Sequence, residues 1–89
     1  MPEDIEIRRK RIYYRATHTG MKETDLMLGR FSRRYLSEMD HHLLDLLEAL
    51  MDAGDPNIYA WISGRVPVPP EYDTELMARL KEFEVHSAG

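Results

Sequence analysis

Apolar residues recur three and four positions apart in five stretches of this chain, with turn signals between them. In the first, from about Ile5 to Thr17, Ile5, Ile12, Tyr13 and Ala16 can share one helical face, with the arginines on the other. His18-Thr19-Gly20 ends it, glycine suiting the left-handed position just past a helix. The second stretch, Lys22 to Leu36, carries Leu28, Phe31 and Tyr35 on one stripe, widened by Met27 and Leu36. Glu23 and Asp25 open it and Arg30, Arg33 and Arg34 close it, which matches the helix dipole. The third, Asp40 to about Met51, has the broadest apolar face: Leu43, Leu44, Leu46, Leu47, Leu50 and Met51. Ser37 or Asp40 can cap its start, and Ala53-Gly54 stops it.

Asp55-Pro56 then predicts an N-cap followed by proline in the first turn of a short helix through Ile58, Tyr59, Trp61 and Ile62. Ser63-Gly64 ends this helix, and Val66-Pro67-Val68-Pro69-Pro70 must be an extended connector, because proline lacks the N–H a helix needs. A last helix is expected from about Tyr72 to Val85, with Tyr72, Leu76, Leu80 and Phe83 on one face. No alternating pattern with hairpin turns appears. The expectation is an all-α protein, a compact five-helix bundle, one domain over residues 1–89 with flexible ends at 1–4 and 86–89.

Composition narrows the function classes. With no cysteine there is no disulfide, no thiolate metal site and no cysteine nucleophile. No apolar run approaches the ~20 residues of a membrane span, so direct membrane insertion is not expected. Met1-Pro2-Glu3-Asp4 is acidic and unlike a signal peptide, which suggests a reducing intracellular compartment. The net charge of −4 conceals an asymmetry. Residues 1–36 hold nine Lys/Arg against five Asp/Glu, giving +4, while residues 37–89 hold three against eleven, giving −8. The basic end centres on Arg8-Arg9-Lys10-Arg11, next to Ile12-Tyr13-Tyr14. It offers a phosphate or RNA patch on one reading and a solvated helix face on the other. The acidic whole argues against nucleic acid.

No nucleophile elbow, phosphate loop, dinucleotide fingerprint or zinc-helix motif is present, so no enzyme is expected. His41 and His42, being adjacent on a helix, point apart and cannot readily grip one metal; neither they nor His18 or His86 form a metal set. The turn His18-Thr19-Gly20-Met21-Lys22-Glu23-Thr24-Asp25 is different. Gly20 permits a conformation or an approach that a Cβ would block. Glu23, three residues on, can accept hydrogen bonds from the free N–H groups opening the second helix. By itself this describes a helix–turn–helix corner.

Gly20-Met21-Lys22-Glu23-Thr24-Asp25 resembles the G-M-x-E-x-D part of the R-G-x-x-E signature of the small succinate dehydrogenase flavinylation factors, also called FAD assembly factors. The resemblance continues through Leu28-Gly29-Arg30-Phe31, Asp55-Pro56, Tyr59-Ala60-Trp61, Pro67 and Glu75-Leu76-Met77, covering about Arg8 to Phe83. In one departure, Thr19 stands where the family motif has arginine. Arg15, His18 or Lys22 are the nearby candidates to supply that charge.

The resemblance implies a non-catalytic assembly factor that binds the flavoprotein subunit of succinate dehydrogenase, or of fumarate reductase, and promotes covalent attachment of FAD. It implies no cofactor held stably by this chain, FAD belonging to the client. It places Thr19, Gly20, Met21, Glu23 and Asp25 at the partner surface, with Arg9, Tyr14 and His18 beside them. Tyr13 and Tyr59 are further interface candidates, whereas Trp61 suits the core. The compartment implied is the bacterial cytoplasm, or the mitochondrial matrix for a processed eukaryotic form. An antitoxin-like or regulatory interaction module is the alternative.

Overall fold

Five α-helices form where the apolar periodicity places them. They are α1 (Ile5–Ala16), α2 (Lys22–Tyr35), α3 (His41–Asp52), α4 (Asp55–Ile62) and α5 (Glu75–Ala88). The structure, a computed structural model, describes residues 4–88, and among these there is no strand. The flexible ends expected at 1–4 and 86–89 fall in part on residues 1–3 and 89, which lie outside the described residues.

Caps explain several of the boundaries. The Asp4 carboxylate accepts from the Glu6 N–H at 2.8 Å to open α1, and Asp40 accepts from the Leu43 N–H at 3.0 Å to open α3. At the end of α4, Gly64 takes φ 81°, its N–H donates to Trp61 O at 3.2 Å, and the Arg65 N–H donates to Ala60 O at 3.0 Å. This paired arrangement satisfies two carbonyls a helix end leaves free.

Three expectations need correction, and one short turn adds to them. Gly54, with φ 98°, both leaves α3 and caps α4, so Asp55 starts the helix and is not its N-cap. Gly20 also has positive φ (99°), but α1 is capped at Thr17, so Gly20 turns the loop and is not the first residue past the helix. Residues Leu36–Glu38 tighten into a 3₁₀ turn after α2. Tyr72 belongs to a 3₁₀ turn, Pro70–Tyr72, and α5 starts only at Glu75. Tyr72 instead stacks on Trp61, ring centroids 4.9 Å apart.

The core is one cluster drawn from all five helices, including Ile12, Leu28, Phe31, Leu44, Ile58 and Leu80, each fully buried. Full burial of an aliphatic or aromatic side chain of this size contributes roughly 1.5–3 kcal/mol. Helix α1 packs against both α2 and α3, which leaves the α1–α2 corner and its turn at one side of the bundle.

Candidate partner-binding site

The turn between α1 and α2 is held by short-range chemistry. The Thr17 hydroxyl donates back to Tyr13 O at 3.0 Å, which ends α1. After Gly20 the chain passes through extended Met21, the N-cap of α2, which makes no side-chain capping bond. Asp25 then reaches back across the turn. Its Oδ1 accepts from the Thr19 N–H and the Thr19 hydroxyl, both at 2.6 Å. The Thr19 hydroxyl, and after it the Thr19 N–H, hold the Asp25 carboxyl below its ordinary pKa.

Glu23 does not take the capping role expected of it. With Met21 as N-cap, Glu23 stands at the second helical position, one short of where a capping-box carboxylate reaches back. Its side chain is exposed, and the bonds that order the turn go to Asp25.

Beside the turn, α1 and α2 enclose an open groove of about 520 Å³. Arg9, Tyr14 and His18 come together along its wall. Tyr14 is 66% exposed, and its ring stacks on His18 with centroids 4.0 Å apart. His18 Nδ1 lies 2.7 Å from Tyr14 O, which fixes the imidazole there. Arg9 donates from Nη2 to Met39 O at 2.7 Å and pairs through Nη1 with Glu6. Tyr13 OH accepts from Arg33 Nε at 3.0 Å, tying the two helices together. A second hollow of about 210 Å³ lies among Arg15, His18, Thr19 and Met51, so His18 borders both. The expected residues therefore fall into two adjoining groups, the groove and the turn, meeting at His18. Glu23 sits in the turn segment but takes no part in the bonds from Asp25 that close it.

The arginine row of α1 is not the solvated basic face that the local sequence suggests. Arg8 pairs with Asp45 and, at 2.9 Å, with Glu48; Arg11 reaches Glu48 at 3.2 Å; Arg15 pairs with Asp52. Burial pushes the Glu48 carboxyl up, but hydrogen bonds from Arg11 and Arg8, together with the charges of the two guanidinium groups, outweigh it and hold the group below its ordinary value. The Asp45 carboxyl is lowered chiefly by the hydrogen bond from Arg8. The positive amino-terminal part and the negative remainder thus neutralise one another along α1 and α3.

The other candidates lie outside the groove lining. His41 Nδ1 contacts Arg8 Nη1 at 2.9 Å and His42 Nε2 contacts Glu75 at 2.9 Å. No metal-holding cluster occurs among the described residues. Tyr59 is half-buried with the Arg65 guanidinium over its ring, and Trp61 is buried as expected. Sequence reasoning missed Ser32 and Arg33, which line the groove from α2. The signal for Arg33 was its place two positions from Phe31, off the apolar stripe.

A model of the family described as "flavinator of succinate dehydrogenase" matches residues 10–84. The chain belongs to the succinate dehydrogenase flavinator family. Its relatives include three insect proteins, each aligned over 82 residues and 90% of this chain. They are the mitochondrial succinate dehydrogenase assembly factor 2 of Drosophila grimshawi (34% identical, 56% of its length), assembly factor 2-A of Drosophila mojavensis (37%, 52%) and assembly factor 2 of Culex quinquefasciatus (35%, 52%). The chain spans about half the length of the curated relatives it matches. The flavinator match covers the whole of α2, α3 and α4, the motif turn and nearly all of the groove.

Proposed function

We propose that this chain binds the flavoprotein subunit of succinate dehydrogenase and promotes the covalent attachment of FAD to it, without catalysing a reaction of its own. The observation that carries this reading is the family match over residues 10–84, which contains the motif turn. Fumarate reductase flavoprotein is a second candidate client of the same chemistry. FAD belongs to the client, and this chain holds no cofactor stably. The working compartment is the cytoplasm in a bacterium or the matrix in a mitochondrion.

Physical chemistry supports a role in positioning. Joining a flavin to a protein side chain requires the reacting atoms to be held close and aligned, and orientation alone can supply several kcal/mol of a barrier. A turn ordered by Asp25 and flanked by the exposed Tyr14–His18 stack presents a preshaped surface to a larger partner. Thr19 brings no charge to the position where the motif has arginine; its hydroxyl is spent on Asp25.

The test is covalent flavin in the succinate dehydrogenase flavoprotein, read by in-gel fluorescence in cells with and without this chain. Loss of fluorescence on deletion, restored by the chain as it stands, is expected. Unchanged fluorescence would overturn the reading and favour a regulatory interaction module. Full activity only after Thr19→Arg would show that the motif cation is needed for the reaction.

A further inference from the structure

Arg8, Arg11 and Arg15 of α1 are matched to carboxylates of α3. Lys10 on α1 and Arg33 on α2 form no ion pair among the described residues, and both line the α1–α2 groove. Arg9, also in the lining, holds the carboxylate of Glu6, whose own side chain is 70% exposed. An exposed glutamate on Arg9 shows which chemistry that guanidinium takes, and a partner carboxylate could replace it at little cost. Two polar atoms of the same lining lack any partner: Arg9 Nε and Ser32 Oγ, the latter on a residue only 2% exposed. Buried polar groups left unpaired are costly, so this wall is incomplete as it stands. Between the cations the surface is aromatic, formed by Tyr13, Tyr14 and His18.

We infer that the α1–α2 groove is the docking site for an acidic peptide segment of the flavoprotein, one that sets a carboxylate between Lys10, Arg9 and Arg33 and lays an apolar residue on the Tyr14–His18 stack. The inference rests on the flavoprotein reading given above and names which part of the client is gripped. Charge complementarity selects the occupant. The groove carries three cations against the one carboxylate of Glu6, on a molecule whose overall charge is −4. A local positive recess in an acidic protein attracts a short acidic segment, while a long polyanion such as nucleic acid meets repulsion from the remaining surface. The aromatic wall asks for apolar contact beside the carboxylate, which peptide side chains supply together.

The experiment uses the full chain and the purified, unflavinylated flavoprotein subunit. A photo-crosslinking residue at position 14 identifies the segment that docks. Lys10→Glu and Arg33→Glu are then compared with Arg79→Glu, an exposed α5 reversal of equal charge outside the groove lining. The expected result is a crosslink to a client segment with Asp or Glu beside an apolar residue. Each groove reversal should weaken binding about tenfold at low ionic strength, as charge pairs across an interface do. Arg79→Glu should stay near wild type, the groove effect should shrink at about 0.5 M salt, and a matching Asp/Glu→Lys change in the client should restore binding. If the wild type binds but both groove reversals behave like Arg79→Glu, the groove assignment falls and the flavoprotein reading stands. Crosslinks joining two copies of this chain, or to a basic client segment, would overturn it as well. If the wild type shows no binding to the flavoprotein, both readings fall together.

Discussion

Asp25 closes the motif turn through a single oxygen. Because Oδ1 accepts from both the N–H and the hydroxyl of Thr19, removing its negative charge weakens two bonds at once. Asp25→Asn is therefore expected to lower Tm by several degrees and to weaken flavoprotein binding, while the helical signal in circular dichroism stays largely intact. Glu23→Ala makes the complementary test. Glu23 is exposed and outside the hydrogen bonds that order the turn, so its removal should lower Tm only by the small dipole contribution of a first-turn carboxylate, less than Asp25→Asn does. Any loss of client binding in that variant then reports a contact with the partner and not a loosened turn. Melting curves on both variants decide the matter: a Glu23→Ala variant that melts as early as Asp25→Asn would show that closure had been assigned to the wrong carboxylate.

At the level of elements, the α1–α2 crossing depends on a glycine. A Cβ at Gly29 would lie 3.3 Å from the Thr17 methyl, and that methyl cannot swing away while the Thr17 hydroxyl holds Tyr13 O and Tyr14 O. Alanine in a helix is favoured over glycine by up to about 1 kcal/mol. Gly29→Ala should fall short of that gain in the wild type and reach it when Thr17→Ser removes the methyl; a double-mutant cycle of urea midpoints measures the coupling. The α1–α3 seam makes a second prediction. Glu48 is only 23% exposed and serves both Arg8 and Arg11, so Glu48→Gln should cost about 1 kcal/mol, less at high salt. No change at low ionic strength would mean that the seam adds nothing to stability.

Helix positions were legible because local periodicity places each apolar stripe on the core. The seam was harder to see, although its signal was present: Arg8, Arg11 and Arg15 share the spacing of Asp45, Glu48 and Asp52. Only the packing of α1 on α3 reveals that the two rows meet. The turn misled for a related reason. Counting from Gly20 made Glu23 a capping residue, and the cap lies at Met21. Tyr72 carried the right spacing for α5, but a 3₁₀ turn beginning at Pro70 takes it to Trp61 instead.

For the whole molecule, the lowered carboxyls tie the amino-terminal helix to the rest of the bundle. Asp25 fastens the far end of the turn that follows α1, and Asp45 and Glu48 hold α1 along its length. In each case the folded pKa lies below that of the unfolded chain, about 3.9 for Asp and 4.3 for Glu. At acidic pH the unfolded chain consequently binds more protons than the folded one, so acid favours unfolding. The stabilisation is fully present above about pH 5 and drains away as pH falls through the unfolded values and then through the lower folded ones. A series of Tm measurements from about pH 7 to about pH 2 should be nearly flat at first as far as these groups are concerned and then fall steeply. Combining Asp25→Asn with Glu48→Gln removes two of the three groups, so the variant should start lower near neutrality and lose less on acidification. The two curves should converge at the acid end, where wild-type carboxylates are protonated as well. Parallel curves would mean that acid sensitivity arises elsewhere and that α1 is held by its apolar face, Ile12 and Ala16, with little help from charge.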